Sequence, residues 1–187
     1  MHKLASEILN FWFKESKPSQ WFEKNITYDK LIKKKFLNYN ESAVQGHYDS
    51  WKNTHSESLA LIILIDQFSR NIFRENYNSY KYDYISLNVS KFGIKNLYLN
   101  KFEDLNKRLF FILPLIHSEN IVDQNQAIEL ANNQLSKHHN FKKILKFFFR
   151  HKEIIQKFNR FPHRNKILSR ESTEKEIAFL KTPFSSF

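Results

Sequence analysis

Cysteine is absent from this 187-residue chain. Disulfides, thiolate zinc sites, iron–sulfur clusters and cysteine nucleophiles are therefore excluded. Glycine is nearly as scarce, with only Gly46 and Gly93. Two glycines so far apart cannot form a P-loop or a dinucleotide fingerprint. Compact sandwiches and barrels need glycine at many turns, so two glycines and four prolines argue for helices joined by short polar loops. Neither a G-x-S-x-G elbow nor an H-E-x-x-H pair occurs. Long apolar runs are missing too. The longest, Leu109 to Ile116, contains Pro114 and falls well short of the roughly 20 residues a membrane span needs. The opening "MHKLASEILNFWF" sets Glu7 and Asn10 among its apolar residues and has no small-residue cleavage site. The expectation is a soluble cytoplasmic protein with no metal and no organic cofactor.

Acidic residues are outnumbered, 19 against 30 basic ones, for a net charge of +11. Nucleic acid is one partner that fits such a balance. The lysines, however, are scattered among abundant Asn, Ile, Phe and Tyr, and only Lys33 to Lys35 form a run. A compositional bias explains them better, so nucleic acid is the less favoured partner. Arginine is the more informative cation. None precedes Arg70, and Arg70, Arg74, Arg150, Arg160, Arg164 and Arg170 fall in three short stretches, with Arg108 apart. Where lysine is the default, arginine marks places that need a planar, always-charged, bidentate donor.

What is present has helical spacing. Leu4, Ile8, Phe11 and Trp12 share a face over residues 4–14, and residues 27–45 form a lysine-rich second helix. "THSESLALIILIDQF" opens on Thr54 and Glu57 at capping-box spacing and reads as a helix buried nearly all round. Residues 78–92, 103–116 and 121–138 continue the pattern. From Phe141, the stripe Phe141, Ile144, Leu145, Phe148, Ile155 and Phe158 takes in His151. Pro162 suits the first turn of a short helix, and Thr173 with Glu176 forms a second capping box before a closing helix. No linker or composition break divides residues 1–187, so a single all-α domain is expected. His138 and His139 read as a surface helix end.

Three stretches hold candidate site residues. In "DQFSRNIFR", a continuous helix places Asp66 on the apolar side, with Arg70 one turn on in the favourable acid-then-base order and Arg74 stacked behind it. A buried carboxylate needs such a partner. In "LIHSENIVDQ", His117 sits at the inner end of one helix, Ser118 or Asn120 caps the next, and Glu119 lies near its positive end. His117 and Glu119 together suit acid–base work; the alternative is a plain capping turn. The third stretch joins "FFFRHKEIIQKF" to "RFPHRNKILSR". Arg150, His151, Arg160, His163, Arg164, Asn165 and Arg170 supply many donors and few nearby acceptors, as a site for a bound anion does. The alternative is a latch in which these arginines tie helix ends together.

The combination "ILNFWF", "LALIILIDQFSRNIFR", "LFFILPLIHSENIVDQ" and "FRHKEIIQKFNRFPHRNKILSRESTEKEIAFL" resembles the bacterial family termed domain of unknown function 924. The likeness spans nearly the whole chain. It implies a tetratricopeptide-like array of antiparallel helices, although no 34-residue repeat is visible. Positions that match the family's pattern are Asp66, Gln67, Arg70, Asn71, Arg74, His117, Ser118, Glu119, Gln124, His151, Arg160, His163, Arg164, Asn165, Arg170 and Glu171. Ser69 departs from it, since the family usually has proline there. No activity comes with the resemblance.

Taken together, the stretches are expected to converge on one polar pocket for a small anion or acidic group. An enzyme would use Asp66 or Glu119 as base, His117 or His163 as acid, and the arginines as clamps. Gln67, Asn71 and Gln124 join the arginines, His151 and Asn165 as candidate binding residues. An interaction module would use the same arginines for the carboxylate of an acidic peptide, and a pure latch would bind nothing.

Overall fold

The computed structural model describes residues 1–183, 185 and 186. The chain is a single all-helical domain, and no strand occurs among the described residues. Helix α1, Lys3–Asn10, runs into a π-helical turn, Phe11–Glu15. Helix α2, Ile26–Val44, begins at an Asn25 cap whose side chain accepts the Tyr28 amide. Helix α3, His55–Ile62, continues through a π-helical segment, Ile63–Gln67, into α4, Phe68–Ile72. Then follow α5 (Asp83–Lys95), α6 (Leu105–His117), α7 (Ile121–Leu135), α8 (Phe141–Phe158), a 3-10 turn at Pro162–Arg164, and α9 (Glu174–Leu180). Short turns join α6 to α7 and α7 to α8, and each pair packs together, as short connections between helices require.

The core forms where apolar faces meet without gaps. Every residue from Leu109 to Ile116 is buried, so α6 runs through the middle of the molecule, against α3, α5, α7 and α8. Trp12, Phe36, Phe68 and Phe110 are fully buried. Their rings meet edge to face or stacked, Trp12 with Phe68 at 5.5 Å, Trp12 with Phe110 at 5.4 Å and Phe36 with Phe68 at 4.6 Å. Burying each such ring contributes about 1.5–3 kcal/mol. Gly93 lets α5 approach α6 closely, because a Cβ there would lie 2.3 Å from Phe111 Cζ. Overpacking of this kind costs about 1–3 kcal/mol, so Gly93→Ala is expected to shift the urea midpoint downward. An unchanged midpoint would show that Phe111 can swing aside.

The sequence spacing predicts one α-helix through Asp66. Instead, the backbone widens to π geometry over Ile63–Gln67, and the Phe68 amide reaches back to the Ile63 carbonyl. The widened turn needs outside support. Asn40, 1 % exposed, donates its Nδ2 to the Leu64 carbonyl at 2.6 Å and to Ser69 Oγ at 2.9 Å. Loss of that donor strands a buried carbonyl, at about 1–3 kcal/mol. Asn40→Ala should therefore destabilise the fold by that amount, measured by chemical denaturation, whereas Ser42→Ala on the exposed side of α2 should have little effect.

Several local expectations are met. His151 lies on the buried stripe of α8 with Ile144, Phe148 and Ile155. Pro162 opens its 3-10 turn, and Thr173 and Glu176 form a reciprocal capping box. The box expected at Thr54 and Glu57 does not form. Glu57 instead accepts the His2 amide at 2.6 Å, and the Thr54 hydroxyl donates to Glu57 at 2.9 Å. His138 is also not a surface group. Helix α7 stops at Leu135, and the buried His138 ring accepts the Asn140 amide and pairs with Asn106 Oδ1 at 3.0 Å. Among the described residues no helix is long and apolar enough to cross a membrane.

Candidate functional site

Asp66 is fully buried, in the widened turn between α3 and α4. Donors surround its carboxylate. His117 Nδ1 lies 2.8 Å from Oδ1, Arg70 Nη2 donates to the same oxygen at 3.2 Å, and Gln67 Nε2 donates to Oδ2. Burial alone would raise the Asp66 pKa, but the hydrogen bond from His117, the charge of Arg70 and the hydrogen bond from Gln67 outweigh it and hold the acid well below its ordinary value. An ionised carboxylate only accepts, so His117 holds its proton on Nδ1 and keeps a lone pair on Nε2. Burial keeps the ring neutral by lowering its pKa, against the raising effect of Asp66.

A second carboxylate completes the cluster. Asp83, the first residue of α5, accepts Arg70 Nη2 at 3.1 Å and Arg164 Nη1 at 3.3 Å on one oxygen. Arg164 Nη1 also donates to the His117 carbonyl at 3.1 Å. The Arg164 guanidinium is held between two rings, Tyr80 and Phe161, each 4.6 Å from its central carbon. Arg70 faces Tyr80 at 5.1 Å. Arg164 is only 6 % exposed, yet its Nε and Nη2 bond nothing among the described residues. Tyr80, Asp83, His117 and Arg164 line one half-open cavity of about 240 Å³, together with Leu87, Pro114 and Leu168. A larger cleft of about 490 Å³, next to Gly46 and Phe92, holds none of the candidate residues.

The profile of a family described as "Bacterial protein of unknown function (DUF924)" matches residues 8–184. The chain belongs to this family. In this DUF924 member, Asp66, Arg70, His117 and Arg164 are joined in one hydrogen-bonded cluster. A solved structure, of a protein of unknown function from Agrobacterium tumefaciens, is similar with a TM-score of 0.85 and 32% identity, covering 95% of this chain and 97% of that one. No curated protein matches this DUF924 member.

Not every candidate reaches the cavity through a free group. Arg74 does not stack behind Arg70. Helix α4 ends at Ile72, and Arg74 turns to grip Asp29 with Nε at 2.6 Å and Nη2 at 2.8 Å, while Asn71 donates to the same carboxylate at 2.8 Å. Arg160 clamps Glu176 at 2.6 and 2.7 Å and reaches the Glu171 carbonyl. Arg170 clamps Glu119 at 2.6 and 3.0 Å. Glu119 lines the cavity but does not serve the α7 amino end. Its Oε1 accepts the Phe161 amide at 2.8 Å, and Asn120 caps α7.

The remaining candidates are structural in their visible contacts. Gln124 Nε2 donates to the Ile116 carbonyl near the end of α6 and to the carbonyl of Ser118, just past it. Asn165 donates to Ser172 Oγ at 3.0 Å, and Arg150 lies beside Glu153 on α8. His151 holds the Phe147 carbonyl at 2.9 Å through Nδ1 and packs on the Phe147 ring. His163 is buried near Arg164, Arg70 and Arg170, and burial followed by their charges pushes its pKa down to about 3.

The expected shortage of acceptors is thus smaller than the sequence implied, because Asp29, Asp83 and Glu176 arrive from elsewhere in the chain. Asp83 and Tyr80 were missed as site residues. Their one signal was a lone acid among tyrosines, "YKYDY". A helix drawn from 78 to 92 hid it by placing Asp83 inside rather than at the amino end.

Proposed function

We propose that this DUF924 protein binds a small anionic compound in the cavity between α5, α6 and the 160–170 segment. One observation supports the reading above others: Arg164 lines the cavity almost wholly buried, packs against two rings and an aspartate, and has no partner for its Nη2 among the described residues. A buried cation that lacks full pairing is costly unless an acceptor joins it. The other arginines act as latches, which narrows the anion site to Arg164, supported by Arg70. A cytoplasmic setting is part of the proposal, as such compounds are abundant there.

The Asp66–His117 pair favours a second use of the same cavity. A carboxylate that fixes an imidazole proton on Nδ1 leaves Nε2 as a base toward a bound molecule. Hydrolysis or group transfer on an anionic metabolite suits those parts.

A thermal-shift screen of small anions tests the binding reading. A ligand at about one hundred times its Kd adds about 2.7 kcal/mol, or about 5–11 °C in Tm for a chain of this length. Arg164→Met keeps the apolar stem and removes the charge, and its Tm should not respond to the same anion. An equal response from wild type and Arg164→Met would sink the reading.

A further inference from the structure

Resting on that anion-binding reading, we infer that the ligand is a monocarboxylic acid with a small apolar or aromatic body, rather than a phosphate or other dianion. Charge decides the first half. The guanidinium groups of Arg70 and Arg164 already face the carboxylates of Asp66 and Asp83. Glu119, on the cavity wall, is matched by Arg170. Burial keeps His117 neutral. The local charge therefore sums to zero before anything binds. One negative charge can be met by the Nη2 end of Arg164, which bonds nothing among the described residues. A second would lie beside the Asp83 carboxylate, where like charges repel.

Shape and lining decide the second half. A cavity of about 240 Å³ accommodates a compact acid. Leu87, Pro114 and Leu168 line it together with Tyr80 and Tyr84, so the body of the ligand meets hydrocarbon and aromatic side chains while its charge lies toward Arg164. His117 Nε2, the one lone pair that Asp66 leaves available, adds a place for a hydroxyl or N–H beside the carboxylate. Phenylacetate supplies the acid and the ring, and mandelate adds the hydroxyl.

Calorimetric titration with phenylacetate, mandelate, acetate and inorganic phosphate on the full chain tests this. Phenylacetate should bind more tightly than acetate, mandelate more tightly still, and phosphate weakest of the four. Arg164→Met should raise the phenylacetate Kd about ten- to a hundredfold, the loss of one charge-assisted bond. Because that variant removes a buried group, Leu168→Trp serves beside it: it fills the cavity, leaves every ion pair intact, and should abolish binding. Tight phosphate binding that depends on Arg164 would overturn the carboxylate inference while leaving the anion site standing. Binding of none of the four, or binding that survives both substitutions, overturns both.

Discussion

Asp66→Ala should unfold about 6–20 °C below the wild type, the largest single-residue loss expected in this protein. The figure follows from about 3–5 kcal/mol for breaking a buried ion pair and about 2–4 °C per kcal/mol at this chain length. Asp66 is fully buried and receives Arg70, Gln67 and His117 at once. Its removal leaves a buried guanidinium with only Asp83 and a weak carbonyl contact at Ser79. Asp66→Asn keeps the volume but turns an acceptor into a partial donor facing donors, so it should lose nearly as much. Lys24→Ala provides the contrast. Its pair with Glu75 is 60 % exposed on the lysine side, and solvent-facing pairs contribute only about 0–1 kcal/mol. If Asp66→Ala and Lys24→Ala melted together, the cluster around Asp66 would not be the keystone of the interior.

Acid should destabilise the protein earlier than carboxylate titration alone predicts. Burial lowers the pKa of His117, His151 and His163 from the ordinary 6.5, His163 to about 3. The unfolded chain binds protons at these histidines near pH 6.5, and the folded chain refuses them until the pH is much lower. The stability they allow is complete above about pH 6.5 and is lost as the pH falls, by up to about 1.4 kcal/mol per histidine per pH unit. Three of them acting together give a slope near 4 kcal/mol per unit at most. Glu176, which Arg160 and the Thr173 cap hold at about 2, adds its own loss only below the ordinary glutamate value. Urea midpoints should be level at about pH 7–8 and fall steeply toward about pH 5. His163→Gln should flatten the slope by about one proton. A level profile down to about pH 5 would mean that these rings titrate as they do in water.

How much was legible in the sequence depended on the range of each interaction. Helix periods, the Thr173 box and the burial of His151 are set within a few residues, and the spacing revealed them. Asp66, Arg70 and His117 stood out because a charged or titratable group on an apolar face demands a partner. The π turn at Ile63–Gln67 was hidden, since it depends on Asn40 from another helix reaching the Leu64 carbonyl. Arginine pairing was misread for the same reason. Asp29 lies 45 positions from Arg74, and Asp83 lies 81 from Arg164, so counting acceptors nearby in the chain overstated the unmet donors. Among the described residues, Arg164 retains part of that expectation.

The 160–170 segment supplies Arg164 and Leu168 to the cavity and is pinned by Glu119 gripping Arg170 and by Glu176 gripping Arg160. Without those clasps the cavity loses two of its walls. On the proposed anion-binding reading, ligand capture and docking of this segment are then one linked equilibrium. A protease cut that frees the segment would be expected to silence capture and spare the aromatic interior.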